Sequence, residues 1–191
     1  LKQIIYSEEY LRRLSDIDAC ALGLMIRVFE LICNEISQTL SERFVRFVED
    51  VFRLSNYDIL GRQKVQYIDF GSKKLGEFDI IATKVNQESQ EYHFIECKFV
   101  FSKEKEEFTD LNETDKFIQK CIQVHNKYLH RSKEDKITYH TIFYLITNKR
   151  VAESIKIRIF QELEELGKKK VNIIDGEELV KRARRVRMRF K

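Results

Sequence analysis

Gly76-Glu77-Phe78-Asp79-Ile80-Ile81-Ala82 and Tyr92-His93-Phe94-Ile95-Glu96-Cys97-Lys98-Phe99 are two apolar arms on either side of a polar break, Asn86 to Glu91. Both arms read as β-strands, and the break reads as the loop that joins them. Side chains alternate along a strand, so Phe94, Glu96 and Lys98 share one face while Ile95, Cys97 and Phe99 share the other. A hairpin folded symmetrically about Glu88 and Ser89 sets Asp79 opposite Lys98 and diagonal to Glu96, all three on one face within about 8 Å. Two carboxylates and an ammonium then converge. Carboxylates on apolar strands are costly to bury alone, and a bridging divalent cation with a lysine alongside would offset that cost. The plainer alternative is a half-exposed hairpin with a Lys-Asp pair on its wet face. Ile80, Ile81, Phe94, Ile95 and Phe99 leave little face to be wet, which favours the metal reading.

Later in the chain, Asn172-Ile173-Ile174-Asp175-Gly176-Glu177-Glu178-Leu179 closes a strand–helix–strand pattern. Asp79, Glu96 and Lys98 together resemble the PD-(D/E)XK nuclease superfamily, in which an aspartate starts one strand and a Glu-x-Lys sits on the next. The closing stretch looks like the end of Mrr-type restriction endonuclease domains. Phe78 stands where the family pattern has a proline. The resemblance spans residues 41–183 and implies an α/β, restriction-endonuclease-like fold, a mixed central sheet flanked by helices. It also implies hydrolysis of DNA phosphodiesters with Mg²⁺ or Mn²⁺. On this resemblance Asp79 and Glu96, with the carbonyl of Cys97, ligate the metal. Lys98 orients or deprotonates the attacking water and stabilises the developing charge.

The family often adds a glutamate from an early helix. The matching position here is Val45, and Glu42 and Glu49 lie one turn before and one turn after it. Either could substitute, or neither. The family also often places a Gln or Lys on a later helix; Lys116, Gln119 and Lys120 are the counterparts, although spacing alone favours an ordinary surface helix.

Length and composition set the bounds. At 191 residues, with 43% hydrophobic and 35% charged residues, the chain fits a globular domain of ordinary size and not a disordered one. No apolar run approaches the roughly 20 residues that span a bilayer, and no signal-peptide pattern opens the chain, so a soluble cytoplasmic protein is expected. Cysteines 20, 33, 97 and 121 lack C-x-x-C spacing, which argues against zinc or a redox dithiol. Histidines 93, 125, 130 and 140 show neither paired helical spacing nor a nucleophile partner. The net charge of +4 is unevenly placed. Lys181 to Lys191 holds seven Lys/Arg and no acid, which leaves 28 basic against 31 acidic residues before it. A basic C-terminal tail, 184–191, would touch phosphates without sequence preference, or else stand as a solvated arm.

In chain order, residues 1–40 read as a helical segment with Ser7 and Asp16 or Asp18 as N-caps. Its stripe of Leu22, Met25, Ile26, Phe29, Ile32, Cys33 and Ile36 suits a core or a homodimer interface. Ser41 is expected to cap a helix to Leu54. Tyr57–Leu60 and Val65–Phe70 read as two strands, with Gly71 to Gly76 as the turn before Asp79. Ser102 to Asn112 is the expected rim loop, followed by a helix from Glu113 to Leu129. Tyr139–Thr147 and Val171–Asp175 read as parallel strands joined by a helix from Val151 that Gly167 stops, and Glu177 to Ala183 as a last helix. Competing functions on the same residues are a Holliday-junction resolvase, which needs a dimer, and an RNA-directed nuclease. Further alternatives are an inactive nucleic-acid-binding module and a purely structural protein.

Overall fold

The computed structural model describes residues 19–69, 72–86, 89–101, 106–135, 138–167 and 170–189. The expected caps at Ser7, Asp16 and Asp18 lie outside them. The chain divides into two compact units, Leu1–Leu40 and Ser41–Lys191. In the first, Leu24, Met25, Val28, Leu31, Ile32 and Ile36 are exposed. Helix α1 runs Ala19–Leu54, so Ser41 lies inside a helix and does not begin one. No Gly or Pro falls between Leu24 and Leu54 to interrupt it.

The second unit is built on one mixed sheet. Its strands are β1 (Asp58–Asp69), β2 (Ser72–Asn86), β3 (Ser89–Lys98), β5 (Tyr139–Thr147) and β7 (Val171–Ile174), in the spatial order β1-β2-β3-β5-β7. β2 pairs antiparallel with both neighbours, whereas β3, β5 and β7 are parallel. β4 (Glu107–Phe108) and β6 (Arg150–Val151) form a separate two-stranded ribbon. The helices are α2 (Leu111–Asp135), α3 (Glu153–Glu162) and α4 (Gly176–Arg189). No helix among the described residues is long and apolar enough to cross a membrane.

Alternation along the central strands gives the sheet two buried faces. Phe94, Phe143 and Leu145 pack with Phe117, Cys121 and Val124 of α2 and with Ile155 and Ile159 of α3. Ile95, Cys97, Tyr144 and Ile146 pack on the other side with Val45, Val48 and Phe52 of α1 and Leu179 of α4. Both faces of β3 and β5 are therefore covered, as parallel strands require. At about 25 cal/mol per Å² of apolar surface removed from water, burying each large aliphatic or aromatic side chain contributes roughly 1.5–3 kcal/mol before entropy.

Four expectations need correcting. Tyr57–Leu60 and Val65–Phe70 are not two strands: β1 is continuous, and the register shifts at Gly61, whose φ of 112° only glycine adopts easily, absorb the irregularity. Likewise Ser72 to Gly76 is not a turn but the start of β2, paired with β1 from Asp69↔Ser72 onward. The hairpin closes at Asn86↔Ser89, two registers from symmetry about Glu88 and Ser89. A slip of two keeps every side chain on its face, so Glu96 and Lys98 still lie on the expected side. Last, the final helix does not stop at Ala183 but continues through the basic run as far as Arg189. Asp175 starts that helix by accepting the Glu178 N–H at 2.9 Å.

Candidate active site

The β2–β3 ladder stops at Ile80↔Ile95. One step further, the Cys97 N–H donates to Asp79 Oδ2 at 2.7 Å, so a side chain accepts the proton where no ladder pair is formed. Extending the register places Asp79 opposite Glu96 and diagonal to Lys98, the reverse of what symmetry about Glu88 and Ser89 gives. Asp79, Glu96 and Lys98 are brought together at one end of the sheet.

An alternating chain of charges runs through them. Lys120 of α2 donates to Glu96 Oε2 and, at 3.0 Å, to the carbonyl of Glu77. Lys98 Nζ stands 2.8 Å from Glu96 Oε1 and 2.5 Å from Glu113 Oε2. Lys116 meets Glu113 Oε1 at 2.6 Å. Side-chain exposure rises from 5% at Lys120 and Glu96, through 23% at Lys98 and 29% at Glu113, to 39% at Lys116. The chain thus leads from core to solvent, with Lys98 and Glu113 at the mouth. There a cleft of about 410 Å³ is lined by Asp79, Lys98, Glu113, Glu107, Asp110 and Ser41.

The electrostatics follow from this order. Burial, and next the charge of Glu96, push the Asp79 carboxyl above its ordinary range, only partly offset by the Cys97 N–H and the two lysines. Burial works against the Lys98 ammonium, but Glu96 and Glu113 outweigh it and raise Lys98 above an ordinary lysine. Burial also disfavours ionised Glu113, yet Lys116 and Lys98 bring its carboxyl down to about 2. Of Asp79 and Glu113, Asp79 is therefore the less compensated acid. Asp79 offers a carboxylate to a cation at the cleft wall, whereas both oxygens of Glu96 are held by lysines that a cation would have to share or displace. Among the described residues no group of three or more His, Cys, Asp or Glu is arranged to hold a metal ion.

The helix acids do not join this cleft. Glu49 pairs with Arg53 at 2.6 Å, Glu42 is exposed, and neither lines it. α1 packs against the opposite face of the sheet from the one carrying Glu96, through Val45 and its neighbours, and it meets the cleft only at Ser41. The acid at the mouth comes from α2 instead. Glu113 and Lys120 are the residues sequence reasoning missed or set aside as surface. The available signal was that Lys120 sits within the apolar stripe Phe117, Cys121, Val124, Tyr128, where a lysine needs a buried partner.

Comparison with family models, with curated proteins and with solved structures found no match. The functional reading rests on this geometry.

Proposed function

We propose that the protein is a metal-dependent endonuclease of restriction-endonuclease-like fold that hydrolyses DNA phosphodiesters in this cleft. The observation that carries the reading is that Asp79 and Lys98, from neighbouring strands, line one open cleft, with Glu96 buried behind them and paired to Lys98. Supporting it are the mixed sheet with helices on both faces and the helix lysine, Lys120, behind Glu96.

Asp79 and Glu96, with the carbonyl of Cys97, would hold Mg²⁺ or Mn²⁺. Two carboxylates suit Mg²⁺, which keeps several waters and binds substrate phosphate, and the under-compensated charge of Asp79 gives a cation something to neutralise. The bound ion would polarise the scissile phosphate and acidify a water. The protein's own residues do the rest. Lys120 keeps Glu96 in place by holding one of its oxygens. Glu96 and Glu113 beside it favour the charged form of Lys98, which suits it to the role of a fixed cation. An ammonium has three donors, and among the described residues Lys98 uses two, on Glu96 and Glu113, which leaves one for a phosphate oxygen or the attacking water.

One observation favours a second reading. Both oxygens of Glu96 are taken by lysines, an arrangement that also suits a nucleic-acid-binding module without catalysis. Incubation with plasmid, single-stranded, branched DNA and RNA, with Mg²⁺ or EDTA, separates the two. EDTA-sensitive cutting that Asp79→Asn abolishes is expected, while band shifts without cutting on any substrate would overturn the nuclease reading.

A further inference from the structure

β3, β5 and β7 are parallel neighbours, so their C-terminal ends share one edge of the sheet. The candidate active site opens beside the first end. Beside the other two lies a second groove, of about 520 Å³, whose cations are Lys149 and Arg150 after β5 and Lys181 and Arg184 on α4. Lys181 and Arg184 lie three residues apart and so share one helix face. Three acids, Glu106, Asp175 and Glu177, also line the groove. Of these, Asp175 is engaged in capping α4.

The two grooves are neighbours across a short ribbon. Residue 107 lines the first and residue 106 the second, and the β4–β6 ribbon between them pairs Glu107 with Arg150 and Phe108 with Val151. Val100 and Asn148 clasp the strand ends together, with the Val100 N–H donating to Asn148 Oδ1 at 2.7 Å. Gly176 packs so closely that an added Cβ would lie 2.5 Å from the Asn148 carbonyl oxygen, which fixes α4 against this edge. At about 4.8 Å per strand, β3 and β7 are roughly 10 Å apart, a span that one flanking stretch of nucleic-acid backbone covers.

We infer that the second groove is a backbone-binding site: Lys149, Arg150, Lys181 and Arg184 hold the phosphates flanking the one in the active-site cleft. This rests on the nuclease reading for its substrate class, and it divides the basic C-terminal run into two functional sets. Lys181 and Arg184 face the groove. Arg182, which pairs with Glu178 at 3.1 Å, does not line the groove, whereas Lys181, which stands 3.9 Å from Glu177, does.

Binding of the full chain to a 30-base-pair duplex in EDTA, titrated with salt, tests the inference without requiring cleavage. Each phosphate that a variant no longer neutralises flattens the slope of log K against log salt by about 0.9. Lys149→Gln/Arg150→Gln and Lys181→Gln/Arg184→Gln are each expected to flatten it by about 1 to 2 and to weaken binding at least tenfold at low salt. Arg182→Gln is expected to leave the slope unchanged. Unchanged slopes for both double variants, equal flattening by Arg182→Gln, or equal competition by polyglutamate would each overturn the proposal. A wild type that binds with these variant effects but never cuts would retain the groove and sink the nuclease reading. A wild type that binds no nucleic acid would sink both.

Discussion

Lys120 reaches from the middle of α2 to the carboxylate of Glu96 on β3, and both side chains are only 5% exposed. A lysine so buried is tolerated because its ammonium also meets the Glu77 carbonyl and lies 5.0 Å from the Phe78 ring centre. Lys120→Met keeps the stem and removes the charge, leaving Glu96 buried with Lys98 alone. The expected cost is about 3 kcal/mol in urea unfolding, and Lys120→Met/Glu96→Gln should recover part of it. A loss under about 0.5 kcal/mol would show that Lys120 does not carry this pair.

Asp79 has two separable roles, as a charge beside Glu96 and as acceptor for the Cys97 N–H. Asp79→Asn removes the first and keeps an oxygen for the second, whereas Asp79→Ala removes the acceptor of the Cys97 N–H as well. The alanine variant is expected to be less stable than the asparagine variant by about 1–2 kcal/mol. The folded state raises this carboxyl above its ordinary 3.8, so its ionisation opposes folding. Wild-type stability from this group is present below pH 3.8 and lost as pH rises through the folded value. In metal-free buffer the advantage of Asp79→Asn should therefore grow as pH climbs from 3.5 towards neutrality. A difference independent of pH would contradict the electrostatics described for the site.

The layout was legible where the sequence alternates cleanly. Tyr139–Thr147, buried on both faces, and Val171–Ile174 stand where periodicity placed them. The face shared by Glu96 and Lys98 was also readable, because alternation does not depend on register. Register itself was not, since a polar loop can close at either of two positions that preserve the faces. Glycine misled at Gly61 and Gly76, which mark a bulge and a strand interior instead of turns. The acid at the cleft mouth was hidden for a different reason. Glu113 lies 15 residues beyond Lys98 across a charged segment, and only the fold shows that α2 begins beside the end of β3.

Glu113 makes the opposite pH signature to Asp79. Its carboxyl falls from an ordinary 4.5 to about 2 beside Lys116 and Lys98, so its contribution to stability is present above pH 4.5 and lost as pH falls towards 2. It is 29% exposed, which screens the pairs, and about 1 kcal/mol at neutral pH is a fair expectation after that discount. Glu113→Gln should lower urea midpoints at pH 7, have little effect near pH 2, and lose less in high salt. An equal effect at both pH values would mean that packing, not charge, accounts for it.

The acids of α1 give the sharpest contrast with the expectation from resemblance. Glu42 is exposed and Glu49 is committed to Arg53, and the α1 face that meets the sheet is apolar, with Val45 buried at the position where the family pattern has its glutamate. The sheet lies between that face and the network around Glu96, because Glu96 and Lys98 bond to residues of α2 on the other side. Glu42→Gln and Glu49→Gln are therefore each expected to stay within about twofold of wild type in cleavage rate across a Mg²⁺ titration. Glu49→Gln should lose only the few tenths of a kcal/mol that an exposed i,i+4 pair contributes. A tenfold rise in the Mg²⁺ concentration needed by either variant would place that glutamate at the metal and require this part of α1 to approach the cleft more closely than Ser41 does.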